Sequence, residues 1–254
     1  MADDLRAFTP TLCQALGISA PALSIPTPYL DVAQGSAKRA LLYCPDAFGF
    51  HALKERPDLY ARLRKASTDE VELVSVFPPK TPVCFASLFT GARPEQHGIR
   101  SYEKPVLACP TIFDAIVDAG RKAAIVAVKD SSIDKIFRNR AIDYFTVDYD
   151  PLVTAQALKL LEANRHDMIV AYHQEYDDLL HTTGPFSKLA MKALEHHVDT
   201  WELLTEAARQ AWKKDYFISF TPDHGGHTDP ATGYGDHGDD RADDMELRHF
   251  FVRA

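Results

Sequence analysis

Four short stretches of the chain place carboxylates, imidazoles and a hydroxyl where they could act together. They are Asp46 in Pro45-Asp46-Ala47-Phe48-Gly49, Thr81 in Lys80-Thr81-Pro82, Asp177 and His181 in Asp177-Asp178-Leu179-Leu180-His181, and Asp223-His224-Gly225 with His227 and His237 downstream. Hard carboxylate oxygens mixed with imidazole nitrogens, without thiolates, suit Zn or Mn in a catalytic rather than a structural site. The spacing of Asp177 and His181 puts both on one face of a helix, which permits joint coordination and equally a simple hydrogen-bonded pair. Asp223 and His224 would leave an extended chain on opposite sides, with Gly225 free to turn sharply. Asp46 alone reads as a cap or turn former as readily as a ligand. Either His227 or His237 could complete the set, and the glycines beside His237 would let backbone approach an ion. Thr81 fits a helix N-cap, Pro82 the first helical position and Gly91 the stop. Such a helix start offers unpaired amides and a positive dipole end to a phosphate. Its hydroxyl becomes a nucleophile only if something deprotonates it, as a metal ion would.

These residues share a position: each follows a short apolar run. Runs rich in β-formers recur at Ala40 to Cys44, Val71 to Phe77, Ala123 to Val128, Ile142 to Val147, Met168 to Tyr172, Tyr216 to Thr221 and Leu247 to Val252. Helix-like segments lie between them, at Leu53 to Lys65, Thr111 to Ala119, Val153 to Ala163 and Ser187 to Trp212. The alternation predicts an α/β fold, a mainly parallel central sheet with helices on both faces, with ligands beyond the carboxyl ends of the strands. The last run is expected as an antiparallel edge. Residues 1–38 read as an N-terminal extension with a short helix and an irregular proline-rich stretch from Ala20 to Leu30. Residues 39–254 read as one domain whose intervals leave little room for a large cap.

Composition bounds the function. The chain has 254 residues, 46% hydrophobic and 25% charged, as expected of an ordinary globular protein. Four dispersed cysteines without a CxxC pair argue against a disulfide scaffold. An acidic start and the lack of a long apolar run make a cytoplasmic protein without a membrane span the expectation. A net charge of -8 argues against a stable nucleic-acid partner. Much of that acid lies between Asp223 and Glu246, and most of it reads as solvated loop.

Taken together, the motifs resemble the alkaline phosphatase superfamily and, within it, the nucleotide pyrophosphatase/phosphodiesterase group. The resemblance rests on Lys80-Thr81 followed by Thr90-Gly91 and Arg93-Pro94-Glu95-Gln96-His97-Gly98-Ile99, on Asp177-x-x-x-His181 followed by Thr182-Thr183-Gly184-Pro185, and on Asp223-His224-Gly225 with a later His237-Gly238. It runs from roughly Leu41 to Val252. It implies an alkaline-phosphatase-like core carrying two divalent metal ions, zinc more expected than manganese. Asp46, Thr81, Asp223 and His224 would hold one ion and Asp177, His181 and His237 the other, His237 being preferred to His227 because it matches the later His-Gly. It also implies hydrolysis of a phosphoric ester by in-line attack of Thr81 Oγ on phosphorus, through a phospho-threonine. Three aspartates and a Thr81 alkoxide carry about four negative charges that two divalent ions cancel, so the acidic composition need not repel a phosphate.

The chain also departs from that group. Where an asparagine usually follows the nucleophile helix, Ser101-Tyr102-Glu103-Lys104 stands instead. Tyr102 or Lys104 could supply a donor or a positive charge to substrate there. Without the asparagine, the sequence does not choose between monoester and diester. Cys84, one helical turn after Thr81, is read as a small helix residue rather than a sulfatase-type nucleophile. His97 is expected in a supporting hydrogen bond, and His173, His196 and His197 in surface or structural roles. The expected partner is a small phosphorylated substrate, and a homo-oligomer is compatible with the sequence. Competing readings are a phosphomutase, a sulfatase or phosphonate hydrolase of the same superfamily, and a non-catalytic metal-binding relative.

Overall fold

Along the strand that ends just before Asp46, Leu41 and Tyr43 project into one apolar cluster and Ala40, Leu42 and Cys44 into another. The run Met168 to Tyr172 divides in the same way. A strand buried on both faces needs a continuous apolar run and helices above and below it. The computed structural model describes residues 3–25, 27–29, 31–34 and 36–254, so Pro26 and Leu30 of the proline-rich stretch lie outside the described residues.

The chain begins with β1 (Asp3–Asp4) and α1 (Phe8–Leu16), then β2 (Arg39–Pro45), α2 (Phe50–Glu55), α3 (Pro57–Ala66) and β3 (Asp69–Val74). Next come α4 (Thr81–Thr90), α5 (Pro94–His97), α6 (Ile112–Asp118), β4 (Ala123–Val128), α7 (Ser132–Ile136) and β5 (Asp143–Val147). They are followed by α8 (Asp150–Ala163), β6 (Met168–His173), α9 (Glu175–Thr183), α10 (Lys188–Trp212) and β7 (Tyr216–Phe220). A small hairpin, β8 (His227–Thr228) and β9 (Gly235–Asp236), precedes α11 (Ala242–Met245) and β10 (Glu246–Arg253). Helices α1, α4, α6 and α7 pack on one face of the sheet, and α3, α8, α9 and α10 on the other. Among the described residues no helix is long and apolar enough to cross a membrane.

The main sheet has the order β1-β3-β10-β7-β2-β6-β4-β5, and every pairing is parallel except the two made by β10. Two expectations need correcting. The final strand is antiparallel but internal, held between β3 and β7, while β1 from the N-terminal segment forms the edge beyond β3. Phe250 is buried on one face of β10 and Leu247 and Phe251 on the other, and unpaired backbone beside so apolar a strand would be costly. The segment from Leu53 to Lys65 is two helices, broken at Arg56 with φ -127 and ψ 65. Pro57 disfavours a helical residue before it and supplies no N–H to continue the ladder.

The order explains how distant motifs meet. Strands β7, β2 and β6 are parallel neighbours, so the residues beyond their carboxyl ends lie side by side. Because β10 runs antiparallel to both β7 and β3, β3 has the same sense as β7 and delivers α4 to the same edge.

Candidate active site

Asp46 follows β2 directly, and the turn after it places Ala47 at φ 56, a conformation that L residues seldom adopt. That turn aims the Ala47 N–H at Asp223 Oδ1, 3.3 Å away, and so ties the loop after β2 to the loop after β7. The two loops also touch through backbone. A Cβ added at Gly225 would lie 2.1 Å from the Asp243 carbonyl oxygen, and one at Gly49 2.5 Å from the Gly225 Cα. Only glycine permits that approach.

Thr81 lies at the start of α4 but is not its cap. Lys80 occupies the N-cap position with extended φ and ψ, and Thr81 is the first helical residue. This corrects the sequence expectation, and its consequence is chemical: the Thr81 hydroxyl is not spent on helix amides. Its Oγ lies 3.3 Å from Asp46 Oδ1 and 3.2 Å from His224 Nε2. Gly91 closes the same helix at φ 68, as expected, with no room for a Cβ beside Ser24.

The candidate residues fall into two groups. Asp46, Asp223 and His224 form the first, all buried, with His224 Nε2 3.4 Å from both Asp46 Oδ1 and Asp223 Oδ2. Asp177, His181 and His237 form the second, with Asp177 Oδ1 3.5 Å from Nε2 of each histidine. The His224 and His237 rings stack 4.1 Å apart and join the groups. Helix α9 supplies Asp177 and His181 one turn apart. His227 belongs to neither group: its Nδ1 is 2.7 Å from Asp244 Oδ1. Asp178 is engaged by the Tyr149 hydroxyl and the Gln174 amide.

The hydrogen bonds settle which nitrogen of each histidine faces inward. His224, His181 and His237 each direct Nδ1 at a backbone carbonyl, those of Gly225 at 2.8 Å, Gly235 at 3.1 Å and Pro79 at 2.9 Å. A carbonyl only accepts, so Nδ1 carries the hydrogen and the Nε2 lone pair points at the carboxylates. Imidazoles oriented in this way are arranged as metal ligands. Asp177 Oδ1 and Asp223 Oδ2 are buried without a hydrogen-bond partner. Burial, and then the neighbouring carboxylates, hold Asp46 and Asp223 well above the usual carboxylate range, and burial lowers His224 and His237. A site that penalises bare carboxylates and keeps its imidazoles neutral is complementary to divalent cations. The residues present therefore fit metal ions.

Other residues singled out in the sequence are also located. Tyr102 and Lys104 line the cavity that reaches Asp46, Thr81 and Asp177. Cys84 is fully buried in the core cluster on the α4 side of the sheet, and burial pushes its thiol well up, so it is inert packing. His97 donates from Nε2 to Ser87 Oγ at 2.9 Å and accepts the Ile99 N–H at Nδ1 at 3.2 Å. Burial lowers its pKa to about 4 from an ordinary 6.5. As pH falls, the unfolded chain takes up this proton before the folded one does. The stabilising contribution of neutral His97 is therefore intact above about pH 6.5 and lost as pH falls through about 4. His97→Gln is expected to start less stable but to lose less of its Tm than the parent between about pH 7 and about pH 5. Parallel melting curves for the two proteins would contradict this.

Two features go beyond the sequence reading, which expected His173 and His197 in surface or structural roles without naming their partners. His173 and His197 form a third buried group with Asp150. There the Tyr176 N–H reaches His197 Nε2, His197 Nδ1 reaches the Tyr43 hydroxyl, and that hydroxyl reaches His173 Nδ1. His173 Nε2 contacts Thr154 Oγ1, which donates to the Asp150 carbonyl. Every ring nitrogen is partnered, so this is a hydrogen-bonded brace rather than a metal site. The Asp150 carboxylate accepts the Gln174 and Glu175 N–H groups and thereby fixes the start of α9. No sequence spacing signals it. The second is Lys129, which lines the cavity beside Thr81. It directly follows the Ala123 to Val128 strand, so inspecting the end of that strand would have found it.

A model of the type I phosphodiesterase / nucleotide pyrophosphatase family matches residues 43–249. No curated protein matches the sequence. Among solved structures, murine ectonucleotide pyrophosphatase / phosphodiesterase 5, in an inactive form with AMP, superposes with a TM-score of 0.60 at 18% identity, covering 75% of this chain and 58% of its own. Phosphonoacetate hydrolase from Sinorhizobium meliloti 1021 with phosphonoformate gives 0.55 at 19% identity, over 75% of this chain and 57% of its own. A 2-O GAG sulfatase gives 0.61 at 12% identity, over 86% and 65%. The chain thus spans little more than half the length of the first two structures, with 58% and 57% of them covered. These likenesses carry the alkaline-phosphatase-like fold, and with the family match running through both candidate groups and Thr81, the chain belongs to the type I phosphodiesterase / nucleotide pyrophosphatase family.

Proposed function

We propose that the protein is a two-metal-dependent hydrolase of phosphoric esters with Thr81 as its nucleophile. The observation that carries the reading is the position of the Thr81 hydroxyl, free of capping and within 3.3 Å of Asp46 Oδ1 and 3.2 Å of His224 Nε2. Asp46, Asp223 and His224 would hold one ion with Thr81 beside it, and Asp177, His181 and His237 the other, zinc being preferred to manganese. Bound divalent ions supply positive charge that lowers the hydroxyl pKa and offsets charge on the phosphoryl oxygens.

The chain's own residues do the rest. Thr81 Oγ attacks phosphorus in line, forming the threonine phosphoester as the bond to the leaving oxygen breaks, and the hydroxyl proton ends on that oxygen by way of solvent, so that the first product leaves as an alcohol. Water then attacks the same phosphorus, the bond to Thr81 Oγ breaks, one proton of the water returns to Thr81 Oγ, and inorganic phosphate or the remaining monoester departs. Helix α4 keeps Thr81 in place, and the Tyr172 hydroxyl, donating to Asp46 Oδ2, keeps that carboxylate turned toward it. The fold accommodates both ligand types seen in its relatives, AMP in the murine phosphodiesterase and phosphonoformate in the Sinorhizobium hydrolase. A sulfatase that used Cys84 is disfavoured by the burial of that thiol.

Metal analysis of the purified protein, combined with rates on a matched aryl monoester and aryl diester before and after chelation, tests the reading. Hydrolysis of at least one ester, lost on chelation and restored by zinc more fully than by manganese, is the expected result. Turnover that survives complete metal removal would overturn it.

A further inference from the structure

Eight carboxylates occur from Asp223 to Glu246, and the structure buries two of them, Asp223 and Asp244. Asp223 belongs to the first candidate metal group. Asp244 belongs to neither group, yet it is fully buried. A carboxylate withdrawn from solvent persists only where donors surround it.

Three donors do so. His227 approaches Asp244 Oδ1 with its Nδ1 at 2.7 Å, and the backbone N–H groups of Gly238 and Asp239 both donate to Oδ2 at 2.9 Å. A carboxylate only accepts, so Nδ1 of His227 carries its hydrogen. Its Nε2 is left facing the largely exposed Asp239 carboxylate, 3.6 Å away. His227, the alternative ligand by sequence, therefore serves a buried carboxylate instead of an ion.

These contacts grip the β8–β9 hairpin from both sides. His227 lies in β8 and pairs with Asp236 of β9, while Gly238 and Asp239 follow β9 directly after His237. Two residues per strand, outside the main sheet, make a hairpin that cannot hold itself rigid. Asp244 stands on a firmer base. The Met245 carbonyl beside it accepts the Ser75 N–H at 2.8 Å, and the internal strand β10 begins at the next residue.

His237 depends on that grip. Helix α9 fixes Asp177 and His181, but His237 comes from the loop after the hairpin and must bring Nε2 to within 3.5 Å of Asp177 Oδ1. On one side the Pro79 carbonyl accepts from its Nδ1, and Lys80 Nζ donates to its carbonyl at 3.4 Å. On the other, Gly238 at φ 125 lets two successive N–H groups converge on one oxygen of Asp244. The first group is tied differently. Beside His224, the Gly225 N–H donates at 2.8 Å to the backbone carbonyl of Asp244, a bond that does not involve the side chain.

We propose that Asp244 is the positioning residue of the second metal group: its carboxylate holds the hairpin so that His237 completes the site with Asp177 and His181, while the first group stands without it. The proposal rests on the reading of those three residues as metal ligands.

Equilibrium titration of metal-stripped protein with zinc tests it without any substrate. The parent is expected to bind two ions. Asp244→Ala should weaken one of them by about 10–100-fold, the scale on which contacts behind a ligand act, and leave the other unchanged. Asp244→Asn should retain most of the affinity. Its oxygen can accept from Gly238 and Asp239 while its amide donates to His227 Nδ1, once that imidazole carries its hydrogen on Nε2. A double-mutant cycle separates positioning from general support of the fold. Added to His237→Ala, Asp244→Ala should cost nothing further in zinc affinity, because the histidine it serves is gone. Equal weakening of both ions, undiminished binding in Asp244→Ala, or a fully additive loss on top of His237→Ala overturns the proposal. Should Asp244→Ala fail to fold, His227→Ala carries the test. It removes one of the three donors and should weaken the same ion by a smaller factor, and no loss, or a loss shared by both ions, overturns the proposal. A parent that binds no zinc overturns the metal assignment and this role with it. Zinc binding that follows the stated pattern in a protein that hydrolyses no ester overturns the hydrolase reading and leaves Asp244 in its role.

Discussion

Thr81→Ala should lower kcat by about three orders of magnitude or more, the scale on which removing a nucleophile acts, while leaving the protein folded and loaded with metal. The hydroxyl makes no capping bond, and alanine is the better helix former. Neither helix α4 nor the core should suffer. The three histidines are oriented by backbone carbonyls rather than by Thr81, so the metal content of the variant should match the parent. Thr81→Ser keeps an oxygen at the same place and should recover much of the rate. The decisive measurements are steady-state rates on the preferred ester, metal analysis of each variant, and detection of a phosphorylated residue after acid quench of the parent. A Thr81→Ala protein within about tenfold of the parent rate would remove Thr81 from the mechanism.

The second large effect concerns Asp223, and its sign depends on metal. Without cations, burial and the nearby Asp46 charge hold Asp223 well above the usual carboxylate range. A carboxyl group whose folded pKa lies above its unfolded value contributes stability that is present below about pH 4 and lost as pH rises through the folded value. Metal-free protein should therefore lose stability as pH rises from about 4 toward 8. Asp223→Asn removes one of the repelling charges, so the metal-free variant is expected to melt higher than the metal-free parent at about pH 8. Added metal should reverse the ranking. A ligand at about a thousandfold excess over its Kd stabilises by about 4 kcal/mol, or about 10 °C in a chain of this size. The parent should show that shift, and the variant much less of it along with a severe loss of turnover. An equal metal-induced shift in both proteins would show that Asp223 holds no ion.

How far the sequence carried these conclusions depends on the range of each interaction. The pairing of Asp177 with His181 was legible because one helical turn brings them together wherever that helix lies. The parallel sheet was legible because strands buried on both faces need unbroken apolar runs such as Ala123 to Val128. The placement of Thr81 at a helix start could be read to within one residue, but that residue separates a cap from a free hydroxyl. It was decided by the extended conformation of Lys80 and by the approach of Asp46 and His224 from two other strands. The interior position of β10 was not legible either, because it depends on β3 and on an edge strand from the opposite end of the chain.

By itself the sequence determined which chemical groups the protein owns and which near neighbours share a face, since spacing along a helix or strand is set by local geometry. Tertiary structure alone decided that the Thr81 hydroxyl reaches Asp46 and His224 without capping its own helix, that each histidine of the two groups turns Nε2 inward, and that Asp150, His173 and His197 brace α9. Each of these depends on contacts between residues far apart in the chain. Such contacts follow from sheet order and loop-to-loop approach, and no spacing in the sequence encodes them.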